Sequence, residues 1–393
     1  MKTVVKSYKI RIYPDKSLQD KLYKNFGYSR FVFNQLLNYN KLIFALVVNN
    51  PKINPYNHKP KINRSTLNNW LNVLKTEHLF LKDSESTSLQ STCDIFKDSM
   101  IRFFKHQNKF PRFKSRKNPV QSIKLKNNNN SIRFENNKLK LPIFGLIRYR
   151  DNRKIKGDIL SATVKIENNK WFAVLNCKNE PIPQLPKTGK SVGIDLGLKD
   201  LIIFSNGEKR KPINRLTKIE HQIAKLNKKL SRKVQGSNNW RKCVQKLQKL
   251  HNKIFDIRND EYQKLSTELI KSFDLIGLEK LSVQNMIKNK RLSHSISQIS
   301  WSRLVDMIKY KASWYDKKCI QISKVFPSSK LCNKCRYKKE NLTLAIREWI
   351  CPECGTKHDR DINASINILN EATRINNKCT AGHAGITENL RFS

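Results

Sequence analysis

Negative charge is what this sequence has least of. Its 393 residues carry 31 Asp and Glu against 78 Lys and Arg, a formal net charge of +47. Self-repulsion on that scale opposes a compact state unless a polyanion neutralises it. Nucleic acid is therefore the expected partner. An anionic membrane would answer the same charge, but long apolar runs are also missing. The longest, LIFALVV at 42–48, is far short of the ~20 residues a spanning helix needs. The amino terminus, MKTVVKSYKIRIYPDK, has no apolar core of signal-peptide length. The expected location is intracellular, cytoplasmic or nucleoid-associated, and not secreted. A disulfide framework is absent as well. Nine cysteines are an odd number, and Cys93, Cys177, Cys243, Cys319 and Cys379 are scattered without pairing logic. No repeat recurs at a fixed period. Aromatic residues reach 9%, which marks a folded protein with a large polar surface. The length allows two or three domains.

Residues 1–14 alternate (Val5, Tyr8, Ile10, Ile12) and predict a strand stopped by Pro14. Residues 15–108 show helical spacing, broken by the Pro/Asn-rich NNPKINPYNHKPKINRS, and read as a small helical module. From KFPRFKSRKNPVQ at 109 to about 182 the pattern is short alternating strands separated by Asn- and Gly-containing turns. This predicts a small barrel or sandwich, with the first strand expected to join it and the helical module inserted between. After a Pro-rich linker at 179–191, strands alternate with helices, which means an α/β domain. Two amphipathic helices on either side of GSNN (236–239) predict an antiparallel hairpin.

Cys332-x2-Cys335, fifteen residues, then Cys351-x2-Cys354 has the spacing of a four-thiolate zinc ribbon. With four thiolates and no vacant position, the zinc is expected to be structural. His358 could replace a ligand, but reads first as a bystander.

Three acidic residues stand out by context. Asp195 lies in the apolar strand VGIDLGL, and Glu279 ends the apolar strand LIGLE. Asp361 falls in the first turn of a helix that Asp359 can cap. Each has an ordinary reading as a strand-end or helix-start residue. Together, across an α/β sheet, they form a set able to hold one or two Mg²⁺ ions against a phosphodiester.

The segments VGIDLGLKDLIIFSNGE, DLIGLEKLSV, SSKLCNKCRYKKENLTLAIREWICPECG and HDRDINASINIL together resemble the TnpB family. These are insertion-sequence proteins described as transposases and related to type V CRISPR effectors. YKIRIYP, FPRFKSRKN and SATVKIENNKWFAV extend the resemblance over nearly the whole chain. It implies a multidomain α+β protein: a β-barrel wedge module (1–14 and 109–182) split by a helical recognition module (15–108), then an RNase H-like, RuvC-type nuclease domain (188–375). A zinc ribbon (325–358) is inserted in that domain, and 376–393 form a C-terminal tail. It also implies Asp195, Glu279 and Asp361 as the catalytic, magnesium-holding triad and Cys332, Cys335, Cys351 and Cys354 as zinc ligands. Arg336 stands where the family often has Gly, and Ser365 where Ala is usual. The implied function is an RNA-guided, metal-dependent DNA endonuclease of a transposable element, with guide RNA and target DNA as partners. Arg112, Lys114, Arg116 and Lys117 are the expected phosphate contacts, a solvated basic loop being the alternative. A strand-transfer transposase is a second reading, although no segment resembles a separate end-binding DNA domain. A non-catalytic guided regulator is a third, against which the intact triad speaks.

Overall fold

The computed structural model describes residues 2–48, 62–118, 120–213, 216–281, 286, 299–343 and 346–382. The Pro/Asn-rich connection lies outside the described residues up to 61. So do residues 383–393 of the tail and the side chain of Cys379. The chain forms two compact units, one spanning Thr3–Pro181 and the other running from Ile182 onward. Among the described residues no helix is long and apolar enough to cross a membrane.

The first unit opens with β1 (Lys2–Tyr13) and α1 (Lys16–Val48). The Asp15 carboxylate accepts from the Leu18 amide at 2.8 Å and starts the helix. α1 serves two cores in turn. Leu18, Leu22 and Phe26 pack on the sheet, whereas Val32, Phe33, Leu36 and Leu37 pack on α2 (Arg64–Glu77) and α3 (Ser86–Phe104). The sheet is completed by β2 (Val120–Lys126), β3 (Arg133–Glu135), β4 (Lys138–Leu141), β5 (Gly145–Arg150), β6 (Asp158–Glu167) and β7 (Lys170–Ile182). Its seven strands run in the order β2-β6-β7-β1-β5-β4-β3, with β1 between β7 and β5. Two hairpins turn on Asn pairs, Asn136–Asn137 and Asn168–Asn169, all four with positive φ. That is the backbone a two-residue type I′ turn requires, and Asn tolerates it. No ladder joins the edge strands β2 and β3 among the described residues. Instead the Asn127 side chain accepts from the Ile132 amide at 2.7 Å and donates to the Ile132 and Ile159 carbonyls. The Pro-rich linker starts later than its composition predicts. β7 continues to Ile182 because the buried Glu180 carboxylate accepts from the Gly157 amide at 2.7 Å.

The second unit carries a five-stranded sheet in the order β10-β9-β8-β11-β12. These are β8 (Ser191–Asp195), β9 (Ile202–Phe204), β10 (Lys209–Arg210), β11 (Leu275–Glu279) and β12 (Lys318–Ile322). β8, β11 and β12 are parallel, and β9 is antiparallel to β8. Between β10 and β11 lie α4 (Thr217–Leu230) and α5 (Asn238–Ser272), which share a small core of Ile219, Ile223 and Ile254. Their break comes just before the position composition predicts. Ser237 caps α5 through the Trp240 amide at 3.1 Å, so Asn238 and Asn239 are already helical. α6 (Trp301–Trp314) precedes β12. The antiparallel pair β13 (Glu348–Ile350) and β14 (Lys357–Asp359) leads into α7 (Arg360–Gly382).

The parity of the strands sorts these helices. Val192 and Ile194 of β8, with Ile276 and Leu278 of β11, share a core with α5 and α6. The opposite face carries Gly193 and Gly277, which are cross-strand partners. α7 lies on them. A Cβ at Gly193 would stand 2.0 Å from the Ser365 carbonyl, and one at Gly277 2.8 Å from the Ala372 Cβ. Both glycines are there for close approach of a helix backbone. Gly193→Ala is therefore expected to lower stability by about 3 kcal/mol or more, the upper range for overpacking a core. Denaturant titration of the purified chain measures this, and a midpoint within error of the parent would contradict the close packing.

Candidate active site and metal centre

Side chains two residues apart on a strand point the same way. Asp195 follows Gly193 by two and Glu279 follows Gly277 by two, so both carboxylates leave the sheet on the α7 side at the carboxyl ends of adjacent parallel strands. Ser365 lies over Gly193, and Asp361 is one helical turn earlier on α7, over that same end. The structure thus brings the three carboxylates together, and their fields meet. Burial, then the charges of Glu279 and Asp361, push the Asp195 pKa up to about 7. Burial also raises that of Glu279. Among the described residues no cation is ion-paired with either. Asp361 does have one: Arg347 approaches its carboxylate at 3.2 Å. The Asp359 carboxylate caps α7 through the amides of Asp361 at 2.9 Å and Ile362 at 3.1 Å, and it pairs with Lys209 at 2.7 Å.

The thiols of Cys332, Cys335, Cys351 and Cys354 all lie within 4.8 Å of one another. The fold brings two pairs of sulfurs into contact, Cys332 with Cys354 at 3.6 Å and Cys335 with Cys351 at 3.5 Å. A tetrahedron of sulfurs about 2.3 Å from zinc has edges of about 3.8 Å, so the donor set fits that ion. The two knuckles are built alike. The Arg336 amide donates to the Cys332 carbonyl and the Gly355 amide to the Cys351 carbonyl. Arg336 has φ +68° and Gly355 φ +67°. A non-glycine residue in this region costs roughly 1–2 kcal/mol, so Arg336 holds its knuckle under strain that Gly355 avoids.

His358 stands outside the four-thiol cluster but touches it. Its buried Nε2 is 3.1 Å from the Cys332 sulfur, and its ring packs 4.7 Å from Trp349. Thr356 stands 3.3 Å from the Cys354 sulfur and holds that thiol below its ordinary pKa range.

The ribbon is fastened to α7 by residues the sequence reading did not single out. Buried Asn363 donates to the Leu331 carbonyl at 2.7 Å and accepts from the Asn333 amide at 3.0 Å. Asn367, one turn on, donates to the carbonyls of Ser328 and Leu331. Arg347 also gives no local signal, being set apart in sequence from the acid it meets. The i, i+4 pair Asn363 and Asn367, set among the apolar positions Ile362, Ala364, Ile366 and Ile368, was the available clue.

Arg112, Lys114, Arg116 and Lys117 are all exposed in the first unit. Arg112 and Lys114 line one cavity, while Arg116 and Lys117 sit in the turn closed by Ser115 and Asn118.

Three family models match the chain: IS605 OrfB, "Probable transposase", over residues 174–290; "Cas12f1-like, TNB domain" over 301–368; and the IS605 OrfB "Helix-turn-helix domain" over 1–44. Over that last range this chain forms a strand and part of one long helix. A Streptomyces pristinaespiralis protein named "Putative RNA-guided DNA endonuclease" is 32% identical over 378 residues, covering 94% of this chain and 90% of that one. The chain belongs to the TnpB family. An Escherichia coli K12 relative of this TnpB chain, "Putative RNA-guided DNA endonuclease InsQ", is 29% identical over 400 residues, covering 97% and 93%. A solved structure, "Cryo-EM structure of the Cas12f1-sgRNA-target DNA complex", aligns with TM-score 0.36 and 16% identity over 94% of this chain and 99% of that chain.

Two outcomes are expected. The purified TnpB chain binds one zinc per molecule, and Cys351→Ser loses it. Elemental analysis finding zinc retained at full stoichiometry in the variant would remove Cys351 from the ligand set. The second concerns pH. The folded chain keeps a proton on Asp195 to about pH 7, whereas the unfolded chain releases it at the ordinary value of 3.8. Folded stability therefore falls as pH rises across that window. Asp195→Asn removes the penalty, so in magnesium-free buffer its stability gain over the parent should grow from pH 5 to pH 8, reaching about 2–4 kcal/mol. Melting curves at the two pH values test this, and a gain that shrinks with pH would refute it.

Proposed function

We propose that this TnpB-family chain is an RNA-guided DNA endonuclease of a transposable element, cutting phosphodiesters at Asp195, Glu279 and Asp361 with Mg²⁺. The observation that carries the reading is the unneutralised pair Asp195 and Glu279 beside Asp361 in a chain of charge +47. The charges of Glu279 and Asp361 add to burial in raising the pKa of Asp195, which has no ion-pair partner among the described residues, so a divalent cation suits the set. The names of the two relatives support the guided nuclease over the strand-transfer reading. In this proposal the second unit is a RuvC-like, RNase H-type nuclease domain with a structural zinc ribbon. The first is the wedge and recognition modules that hold guide RNA and target DNA, at work inside the cell.

When bound, Mg²⁺ would activate water and stabilise the leaving oxygen. Asp195 and Glu279 present oxygen donors from rigid strand ends, and Asp361 does so from the first turn of α7. Arg347 balances Asp361, and its guanidinium is equally suited to phosphate oxygens. Guide pairing would supply sequence choice, and the basic surface would hold the hybrid through its backbone.

The test uses the full chain with a reprogrammed RNA end and two plasmids, one matching and one scrambled, at physiological salt. Cutting should follow the new sequence and vanish in Asp195→Ala, Glu279→Ala and Asp361→Ala, with nucleic-acid binding nearly intact. Asp359→Ala should still cut, losing about 1–2 kcal/mol of stability as a helix cap. Equal cutting of both plasmids would reject guidance. Full cutting by Asp195→Ala would reject the triad.

A further inference from the structure

The first unit contains a cavity of about 420 Å³ between α1, α3 and the segment after α3. It lies within the ~300–1,000 Å³ range of small-molecule sites. Its α3 wall is one helical face, Ile95, Asp98, Ser99 and Arg102, at the i, i+3, i+4, i+7 spacing. α3 ends at Phe104, and His106 takes φ +55°. The amides of Gln107 and Asn108 return to the Arg102 carbonyl, and the chain runs back as the opposite wall. That wall is pinned to α1 by a reciprocal pair: Asn34 accepts from the Lys114 amide at 2.8 Å and donates to its carbonyl at 3.0 Å.

The lining divides into two chemistries. Arg102, Lys109, Arg112 and Lys114 supply four cations, none of them ion-paired among the described residues. Phe33, Ile95 and Pro111 supply apolar surface, with Ile95 41% exposed. The Lys114 ammonium lies 4.1 Å from the Phe33 ring centroid. Asp98 and Asn108 add hydrogen-bonding groups. A bare phosphate would satisfy the cations but would leave Ile95 wet and be repelled by Asp98. A duplex backbone would meet the same objection. An unpaired nucleotide answers both halves, with phosphate on the cations and base against the apolar wall. A carboxylate only accepts hydrogen bonds, so it favours a base edge with adjacent N–H donors. Guanine has two side by side, N1–H and the 2-amino group.

We propose that this cavity takes one unpaired guanine nucleotide of a bound nucleic acid, its base edge read by Asp98 and its phosphate held by Arg102, Lys109 and Arg112. The inference rests on the reading that this chain handles nucleic acid, and is independent of the cutting chemistry. The test uses the full-length chain stripped of copurifying nucleic acid by high salt. Ligand-detected NMR titrations compare GMP, AMP, CMP, UMP and inorganic phosphate. GMP should bind about tenfold or more tighter than phosphate or the other nucleotides, a difference of about 1.4 kcal/mol. Asp98→Asn should reduce the preference for GMP below about threefold, and Arg112→Ala should weaken every nucleotide about tenfold. Both side chains are exposed, so unchanged melting is expected and checks the fold. An RNA carrying 6-thioguanosine should crosslink within residues 95–114. GMP binding no tighter than phosphate, an unchanged preference in Asp98→Asn, or crosslinks confined elsewhere would overturn the proposal. GMP binding that survives Asp195→Ala while cutting is lost separates this site from the nuclease reading. Absence of GMP selectivity in the parent chain, with triad-dependent cutting intact, refutes this site alone.

Discussion

The acidic edge of the second unit depends on how near a helix can come to a sheet. A strand residue with a side chain keeps an overlying helix at a distance set by that side chain. Gly193 and Gly277 are paired across β8 and β11, and together they open a trough into which the backbone of α7 settles. The helix is placed by contact at 365, 368, 369 and 372, and everything one turn earlier follows from that seating. Asp361 reaches the strand ends because Ser365 is pressed onto Gly193. Ser365 is fully buried, and its hydroxyl spends its donor on the Ile362 carbonyl at 2.8 Å, so a polar residue is tolerated in a place with room for little more than alanine.

The distribution of charge around that edge is uneven in a chain with cations to spare. Lys209 and Arg347 are assigned to Asp359 and Asp361, the two acids at the helix start. Asp195 and Glu279, at the strand ends, receive no such partner among the described residues, and burial together with the charges of Glu279 and Asp361 raises the pKa of Asp195 to about 7. Leaving two half-buried acids without an ion-pair partner destabilises the fold, and proteins commonly carry such a cost where a site requires it. The neighbouring cations hold the scaffold; the pair at the centre stays available.

Much of this is legible in the sequence, and the remainder fails for identifiable reasons. Alternation from Val5 to Ile12 reads as β1, and the apolar runs around Ile194 and Ile276 read as strands buried on both faces. The strings GID and GLE carry the trough in plain view, since a glycine two residues before an acid shares its face of the sheet. What alternation cannot give is strand order, because ladders join segments far apart in the chain; the place of β1 between β7 and β5 is such a case. Boundaries shift where a single side chain intervenes, as Glu180 does in prolonging β7. The partners of Asp361 and Cys332 are hidden for a related reason. Arg347 and His358 belong to a ribbon whose folded path, not its spacing, decides what they touch.

The ribbon also answers why a thiolate cluster stands directly before a carboxylate at a helix start. Cys332 fixes the backbone on either side of it, and that backbone presents the Leu331 carbonyl and the Asn333 amide to Asn363. Asn367 repeats the attachment one turn later. From the far strand of the ribbon, the Arg347 carbonyl accepts from the Arg360 amide at 2.8 Å, while its guanidinium meets Asp361. The first two turns of α7 are therefore gripped on one side by the sheet and on the other by the ribbon. An ion that orders four thiolates contributes its binding energy to folding of the segment they belong to. Through these hydrogen bonds such a contribution would reach Asp361. The four-thiol cluster and the acidic edge are thus two ends of one ordered segment, which includes the strained Arg336 knuckle.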